Sequence, residues 1–186
     1  MMNKIIISTL NSGGIASDSY SNGRAGKRSS LFAWLRAAMH NIYCIQELNS
    51  PLNIFNQKSW EKQWGGYIIL NSSEERNKGV GIFFHPNFKP ILDPNNPSIA
   101  PPDGICKGRL VTVTILIDDE PLSIINIYAH AGDPNEREAF LSKVASLTSH
   151  LPNKIHCGDF NFIDDLDLDK SHRNTDKGSQ GGKAWL

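Results

Sequence analysis

The chain has 186 residues, of which 39% are hydrophobic, and its 19 lysines and arginines balance 19 aspartates and glutamates. This length and apolar content suit a single globular domain with a sizeable core. A formal net charge of zero does not indicate the large basic face of an avid nucleic-acid binder, although a local basic patch stays open.

The sequence favours an intracellular protein, nuclear or cytoplasmic, rather than a secreted or membrane protein. Residues 5–7 are too short an apolar run for a signal peptide, and no stretch approaches the ~20 apolar residues of a membrane span. Cys44, Cys106 and Cys157 show no zinc-binding spacing. Cys44 and Cys157 lie within apolar runs, where a cysteine behaves as a small hydrophobic residue, which favours a reducing compartment.

The first half of the chain predicts alternating strands and helices from the spacing of its apolar residues. In chain order, we expect a buried strand over 4–10, a helix over 31–39 capped by Ser29 or Ser30, a strand over 42–47, a short helical piece over 60–64, and paired strands over 67–71 and 80–85.

The second half predicts a hairpin, a helix and a last strand. Six prolines between residues 86 and 104 predict a loop, because proline cannot donate to a sheet ladder. The remaining elements are a hairpin of strands 109–117 and 122–129, a helix from an N-cap at Asp133 to about His150, and a strand over 155–157. This alternation predicts an α/β or α+β fold with sheets buried between helices.

Two of the predicted strands end in a carboxylate. Glu47 follows one apolar run, and Asp159 follows another more than 100 residues later. Ligands bind at the carboxyl ends of strands in α/β sheets, and a hard divalent cation takes oxygen ligands. The alternatives are a surface ion pair for Glu47 and a simple turn for Asp159.

Six short motifs occur in an order that resembles the endonuclease/exonuclease/phosphatase superfamily. They are Asn11, Gln46-Glu47, Gly79-Val80-Gly81-Ile82-Phe83, Gly108-Arg109-Leu110, Asn126-Ile127-Tyr128 and Gly158-Asp159-Phe160-Asn161. The superfamily includes apurinic/apyrimidinic endonucleases, pancreatic deoxyribonuclease, inositol polyphosphate phosphatases and the endonuclease domains of LINE-type retrotransposons. The segment 166–170 is most similar to the retrotransposon enzymes.

The resemblance implies a four-layer α/β/β/α sandwich that acts as a Mg²⁺-dependent phosphodiesterase, with Mn²⁺ as a substitute. It further implies a DNA-nicking endonuclease of retrotransposon type, with DNA as its partner and with a place in a larger reverse-transcriptase polyprotein. Two alternatives stay open. One is a phosphomonoesterase of the same superfamily, and the other is a catalytically dead binding or scaffold fragment.

The resemblance also implies roles for individual residues. Glu47 would be the metal ligand, because Mg²⁺ favours one or two carboxylates with waters and phosphate oxygens. Asp159 would orient or deprotonate the attacking water, and Asn161 would bind the phosphate or the transition state. Asn11 would help to place Asp159 or the metal, and the hydroxyl of Tyr128 would contact the scissile phosphate.

Four further residues are weaker candidates for contacts with nucleic-acid phosphates: Lys78, Arg109, His130 and Arg137. Each is also a plain candidate for a solvated surface group. Many relatives carry proline at the position of His130, so this histidine departs from the family pattern.

The family ends in a Ser-Asp-His-like triplet, which this sequence does not contain. We therefore expect residues 1–186 to form a single domain of this family that is incomplete at its C-terminus and lacks the last strands. Loss of an acid–base group typically costs ~10²–10⁴ in rate, so we expect activity to be doubtful.

Overall fold

The computed structural model describes residues 4–15, 26–49, 54–73, 75 and 78–162. The described residues divide into two compact units. The first contains the chain up to Tyr128 together with Leu151–Asp159, and the second contains Ala129–His150 together with residues 160–162. The segment 166–170, which carries the likeness to retrotransposon enzymes, lies outside the described residues.

Two helices and a four-stranded sheet form one part of the first unit. The strands are β1 (Ile7–Asn11), β2 (Ile42–Gln46), β3 (Ile68–Asn71) and β4 (Val80–Phe84), in the order β1-β2-β4-β3. β1 is parallel to β2, whereas β4 is antiparallel to both β2 and β3. The helices are α1 (Lys27–Ala38) and α2 (Ile54–Trp64).

A second four-stranded sheet completes the first unit. Its strands are β5 (Ile91–Leu92), β6 (Leu110–Ile117), β7 (Glu120–Tyr128) and β8 (Lys154–Asp159), in that order. β7 is antiparallel to β6 and parallel to β8. The second unit contains α3 (Pro134–Thr148). None of these three helices is long and apolar enough to cross a lipid bilayer, within the part of the chain that the structure describes.

The first unit has two apolar clusters, one on each face of the first sheet. Side chains alternate between the faces of a strand, so β2 contributes to both clusters. Tyr43 and Ile45 pack with helix residues such as Phe32 and Trp64. Ile42 and Cys44 pack in the other cluster with Val111, Val113 and Ile124 of the second sheet. The order helices, sheet, sheet follows from this division.

The predicted fold class is confirmed, since two sheets and three helices form a mixed α/β fold. Three local predictions were wrong or incomplete. α1 begins after Gly26, so Ser29 and Ser30 lie inside the helix and do not cap it. The proline-rich loop contains the two-residue strand β5. The third is α2, which is longer than the helical piece predicted over 60–64.

Two predictions about turns and caps are confirmed in detail. The hairpin of β6 and β7 turns at Asp118 and Asp119, both with left-handed φ, of 51° and 67°. Such a turn matches the twist of the flanking strands. Asp133 caps α3, because its side chain accepts a 2.8 Å hydrogen bond from the backbone N–H of Asn135.

Candidate active site

Asn11 holds the two carboxylates that end predicted strands. Its Nδ2 donates a 2.8 Å hydrogen bond to Oε1 of Glu47 and a 3.1 Å hydrogen bond to Oδ2 of Asp159. Asn11 is the last residue of β1, Glu47 follows β2, and Asp159 ends β8. The amide therefore brings together acids that are carried by different sheets.

The backbone of Glu47 is held in an unusual conformation. Its φ is 53°, a left-handed value that glutamate rarely adopts. The loop after β1 fixes this backbone, since the carbonyl oxygen of Glu47 accepts hydrogen bonds from Ser12 Oγ at 2.9 Å and from the N–H of Gly14 at 2.8 Å. Strained residues of this kind cluster at functional sites. Ser12 was not predicted to be part of the site.

Tyr128 also contacts the side chain of Glu47. Its hydroxyl donates a 2.8 Å hydrogen bond to Oε1 of Glu47. Burial, and next this hydrogen bond, raise the pKa of Tyr128 to about 12. The hydroxyl is therefore protonated at neutral pH and acts as a donor. The contact with a scissile phosphate that the resemblance implies stays a prediction.

Gly158 sets the position of Asp159. Its φ is 131°, which L-residues with a side chain rarely adopt, and an added Cβ would lie only 1.9 Å from the carbonyl oxygen of Ile127. The glycine lets β8 run close beside β7, where Gly158 is the register partner of Ile127. The next residue pair is Tyr128 with Asp159, so this close approach places both site residues side by side.

A pair of buried amides joins the two sheets directly beneath the site. Nε2 of Gln46 donates a 2.7 Å hydrogen bond to Oδ1 of Asn126, and the two residues are 1% and 0% exposed. Asn126 donates in turn to the backbone carbonyls of Ile45 and Gly81. Both amides belong to motifs that carry the family resemblance, but neither was predicted as a site residue.

No protein-family model matches the sequence. A curated relative, the transposon TX1 uncharacterized 149 kDa protein of Xenopus laevis, is 23% identical over 159 residues. The aligned region covers 84% of this chain and 11% of that protein, so the chain spans only a small part of the relative's length.

Three solved structures have a similar backbone. A humanized D. rerio TDP2 is 17% identical with a TM-score of 0.61, over 86% of this chain and 63% of its own. An endonuclease/exonuclease/phosphatase family protein from Leptotrichia buccalis is 14% identical with a TM-score of 0.55, over 86% and 67%. The endonuclease domain of TRAS1, a telomere-specific non-LTR retrotransposon, is 15% identical with a TM-score of 0.52, over 86% and 61%.

The chain has the endonuclease/exonuclease/phosphatase fold. The resemblance inferred from the six motifs is thereby confirmed at the level of the fold. Four of the motif residues meet at one end of its two sheets: Asn11, Glu47, Tyr128 and Asp159. At these identities the likeness establishes the architecture, and the activity has to be argued from the site itself.

Lys78 and Arg109, two of the residues predicted to contact phosphate, lie in the first unit together with these site residues. The guanidinium of Arg109 lies 5.0 Å from the ring centroid of Tyr128, and its Nη1 donates a 3.1 Å hydrogen bond to the carbonyl oxygen of Tyr128. Lys78 forms a 2.6 Å ion pair with Glu75. Arg109 thus supports a site residue from within the protein, and phosphate contacts by either cation stay predictions.

The other three predicted site residues, His130, Arg137 and Asn161, belong to the second unit. Asn161 has a φ of 51°, and its Nδ2 donates a 2.8 Å hydrogen bond to the carbonyl oxygen of Ala129. Nδ1 of His130 lies 3.1 Å from Oε2 of Glu136. Arg137 is only 2% exposed and donates to the carbonyl oxygen of His130, which differs from the expected surface charge. Their roles toward nucleic acid stay predictions.

Glu47 offers a suitable ligand for a hard cation. The hydrogen bonds from Asn11 and Tyr128 both end on Oε1, and neither uses Oε2. An ionised carboxylate has acceptor sites on both oxygens, so Oε2 suits a divalent cation that takes oxygen ligands. Across the described ranges, no group of three or more His, Cys, Asp or Glu side chains is arranged to hold a metal. The candidate site thus rests on Glu47, with Asp159 nearby.

Proposed function

We propose that the protein is a divalent-metal-dependent phosphodiesterase that nicks DNA, of the kind found in non-LTR retrotransposons, with Mg²⁺ as the metal and Mn²⁺ as a substitute. The observation that carries this proposal is the amide of Asn11, which donates to both Glu47 and Asp159. Two partly exposed carboxylates held by one amide donor offer an oxygen ligand to a hard divalent cation and a base to an attacking water.

Each group would have a separate part in hydrolysis. Glu47 would hold the metal, which when bound would stabilise the anionic phosphoryl group and orient it. Asp159 would accept a proton from the attacking water or fix its orientation. Asn11 would hold the two carboxylates next to each other and correctly directed, and the neutral hydroxyl of Tyr128 would fix Oε1 of Glu47. Asn161, two residues after Asp159, stays a motif-based candidate for the phosphate contact.

DNA is the proposed substrate because of the relatives' own descriptions. The TRAS1 domain is an endonuclease of a retrotransposon, and the TX1 protein is encoded by a transposon. The TX1 protein is far longer than the region it shares with this chain. We therefore propose that the natural context is a larger polyprotein with a reverse transcriptase, acting inside the cell on genomic DNA.

The first experiment separates metal binding from catalysis. Mn²⁺ binding is measured by electron paramagnetic resonance and Mg²⁺ binding by calorimetry, for the wild type, Glu47→Gln and Glu120→Gln. Glu47→Gln keeps the size of the side chain and removes its charge. Glu120 is an exposed residue at the opposite end of β7 from Tyr128 and is the matched control. We expect binding to be lost in Glu47→Gln alone, and equal binding by all three proteins would contradict the assignment.

The second experiment measures nicking of supercoiled plasmid with Mg²⁺, with EDTA and with the variant Asp159→Asn. Mg²⁺-dependent nicking that disappears in Asp159→Asn supports the proposed function. Phosphate release from inositol phosphates without nicking would instead identify a phosphomonoesterase. Neither activity from a folded protein that binds Mn²⁺ would contradict the catalytic part and favour a binding or scaffold protein.

A further inference from the structure

Two cysteines from opposite sheets meet in the core of the first unit. Sγ of Cys157 on β8 lies 3.1 Å from Sγ of Cys44 on β2, although 113 residues separate them in sequence. Cys44 is completely buried in the cluster between the sheets, and Cys157 packs against the same cluster. From the sequence both were expected to be small hydrophobic residues with no link between them, and the site described above uses neither.

The two thiols differ in access. Cys157 is half-buried, and its Sγ is also 3.6 Å from the carbonyl oxygen of Ile125. The hydrogen bond with Cys157, and next the burial of Cys44 itself, raise the pKa of Cys44 well above the ordinary value. Cys157 is therefore the thiol that a dissolved oxidant reaches first, and Cys44 is placed to react second.

We propose that Cys44 and Cys157 form a reversible disulfide when the protein meets a peroxide or a low-molecular-weight disulfide. A disulfide bond is about 2.05 Å long, so the two sulfur atoms, now 3.1 Å apart, approach by about 1 Å. The sheets contribute one residue each, and a movement of this size lies within the adjustment of two side chains.

The chemistry balances with either oxidant. With a peroxide, the Cys157 thiolate attacks oxygen and becomes a sulfenic acid as the peroxide O–O bond breaks and an alcohol or water leaves. The Cys44 thiol then attacks the sulfenic sulfur, forms the S–S bond and releases water. With a small disulfide, Cys157 first attacks one sulfur, forms a mixed disulfide and releases one small thiol. Cys44 then attacks the sulfur of Cys157, forms the S–S bond and releases the second small thiol.

The disulfide would cross-link the strands that carry the site. Cys44 precedes Gln46 by two residues, and Cys157 precedes Asp159 by two residues. Residues two apart point to the same face of a strand. The bond would therefore tie β2 to β8 beside Gln46 and Asp159, and it would link positions that are 113 apart in the unfolded chain. Constraint of so long a loop stabilises the folded state.

The test maps the bond in the whole chain after exposure to hydrogen peroxide, and separately to oxidised glutathione. Remaining thiols are alkylated without reduction, and tryptic peptides are analysed by mass spectrometry. Lysine and arginine residues separate the three cysteines, so each lies on its own peptide. The variant Cys157→Ser removes one partner, and Cys106→Ser is the control because Cys106, the last residue of the short 3-10 helix Gly104–Cys106, is not part of the pair.

We expect a cross-linked peptide that joins Cys44 to Cys157 in the wild type and in Cys106→Ser, and none in Cys157→Ser. Oxidation should also raise the thermal midpoint, and dithiothreitol should reverse the change. Overoxidation or a stable glutathione adduct on Cys157 with Cys44 still reduced would overturn the proposal. The proposal would also be overturned if all the wild-type cysteines stayed reduced while a small thiol in the same tube was oxidised. The mapping requires only wild-type protein and no phosphodiesterase activity, so it stands apart from the proposed function.

Discussion

Gln46 and Asn126 join the two sheets through a 2.7 Å hydrogen bond between fully buried amides. The pair is saturated, because Asn126 also donates to two carbonyls of the first sheet and Gln46 also donates to the carbonyl of Cys44. A satisfied polar network in a core fixes geometry more strictly than apolar packing does. We infer that this pair sets the relative position of the strand ends that carry Glu47 and Tyr128.

Replacement of Asn126 by alanine should cost about 2–4 kcal/mol of unfolding free energy, since it removes the buried hydrogen bond from Gln46 and the two bonds to the carbonyls of Ile45 and Gly81. Urea denaturation followed by fluorescence measures the change. The exposed Asn87→Ala should change stability by no more than about 0.5 kcal/mol. A loss in Asn126→Ala no larger than in this control would show that the sheets are held by apolar packing alone.

Asn11→Ala should weaken Mn²⁺ binding and nicking by about 10–100-fold, the usual effect of losing a group that orients a ligand. Asn11→Asp should be at least as harmful, because it places a third carboxylate beside Glu47 and Asp159 in place of a shared donor. The measurements are the Mn²⁺ dissociation constant and the nicking rate. If Asn11→Asp bound the metal more tightly than the wild type, the amide would not be serving as the donor described here.

Tyr128 should ionise unusually late. Its pKa of about 12 lies above the ordinary value of 10.0, so folding favours the neutral hydroxyl. The stabilisation is complete below pH 10 and is lost as the pH rises toward 12. Tyrosinate absorbance of the wild type minus that of Tyr128→Phe isolates this group from the other three tyrosines. A difference signal that titrates at the ordinary value would show that the hydroxyl is neither buried nor bonded to Glu47 as described.

Arg109→Lys should destabilise the protein by about 1–2 kcal/mol despite keeping the charge. Lysine lacks the planar guanidinium that lies over the Tyr128 ring and donates to its carbonyl oxygen. The neighbouring Lys107→Gln is the control and should cost less than about 0.5 kcal/mol. Urea denaturation compares the two variants. If neither variant changed the free energy of unfolding while DNA binding fell only in Arg109→Lys, Arg109 would act on phosphate rather than on Tyr128.

The sequence predicted the strand ends but not the contacts between them. Glu47 and Asp159 could be found because each follows a local apolar run, which is a short-range signal. The bond between Gln46 and Asn126 spans 80 residues and the meeting of Cys44 with Cys157 spans 113. Such pairings depend on how the two sheets pack. Residue spacing within one strand carries no information about that packing.

Among glycine-to-alanine substitutions in the first unit, Gly158→Ala should reduce stability the most. The new Cβ would lie 1.9 Å from the carbonyl oxygen of Ile127, and the φ of 131° would strain any L-residue. We expect a loss of about 4 kcal/mol or more, or failure to fold, since β8 can no longer run beside β7. Gly132→Ala is the control, because its Cβ would meet nothing within 4 Å. Circular dichroism and thermal unfolding compare the two variants. A Gly158→Ala protein as stable as Gly132→Ala would mean that β8 does not pair with β7 in this register.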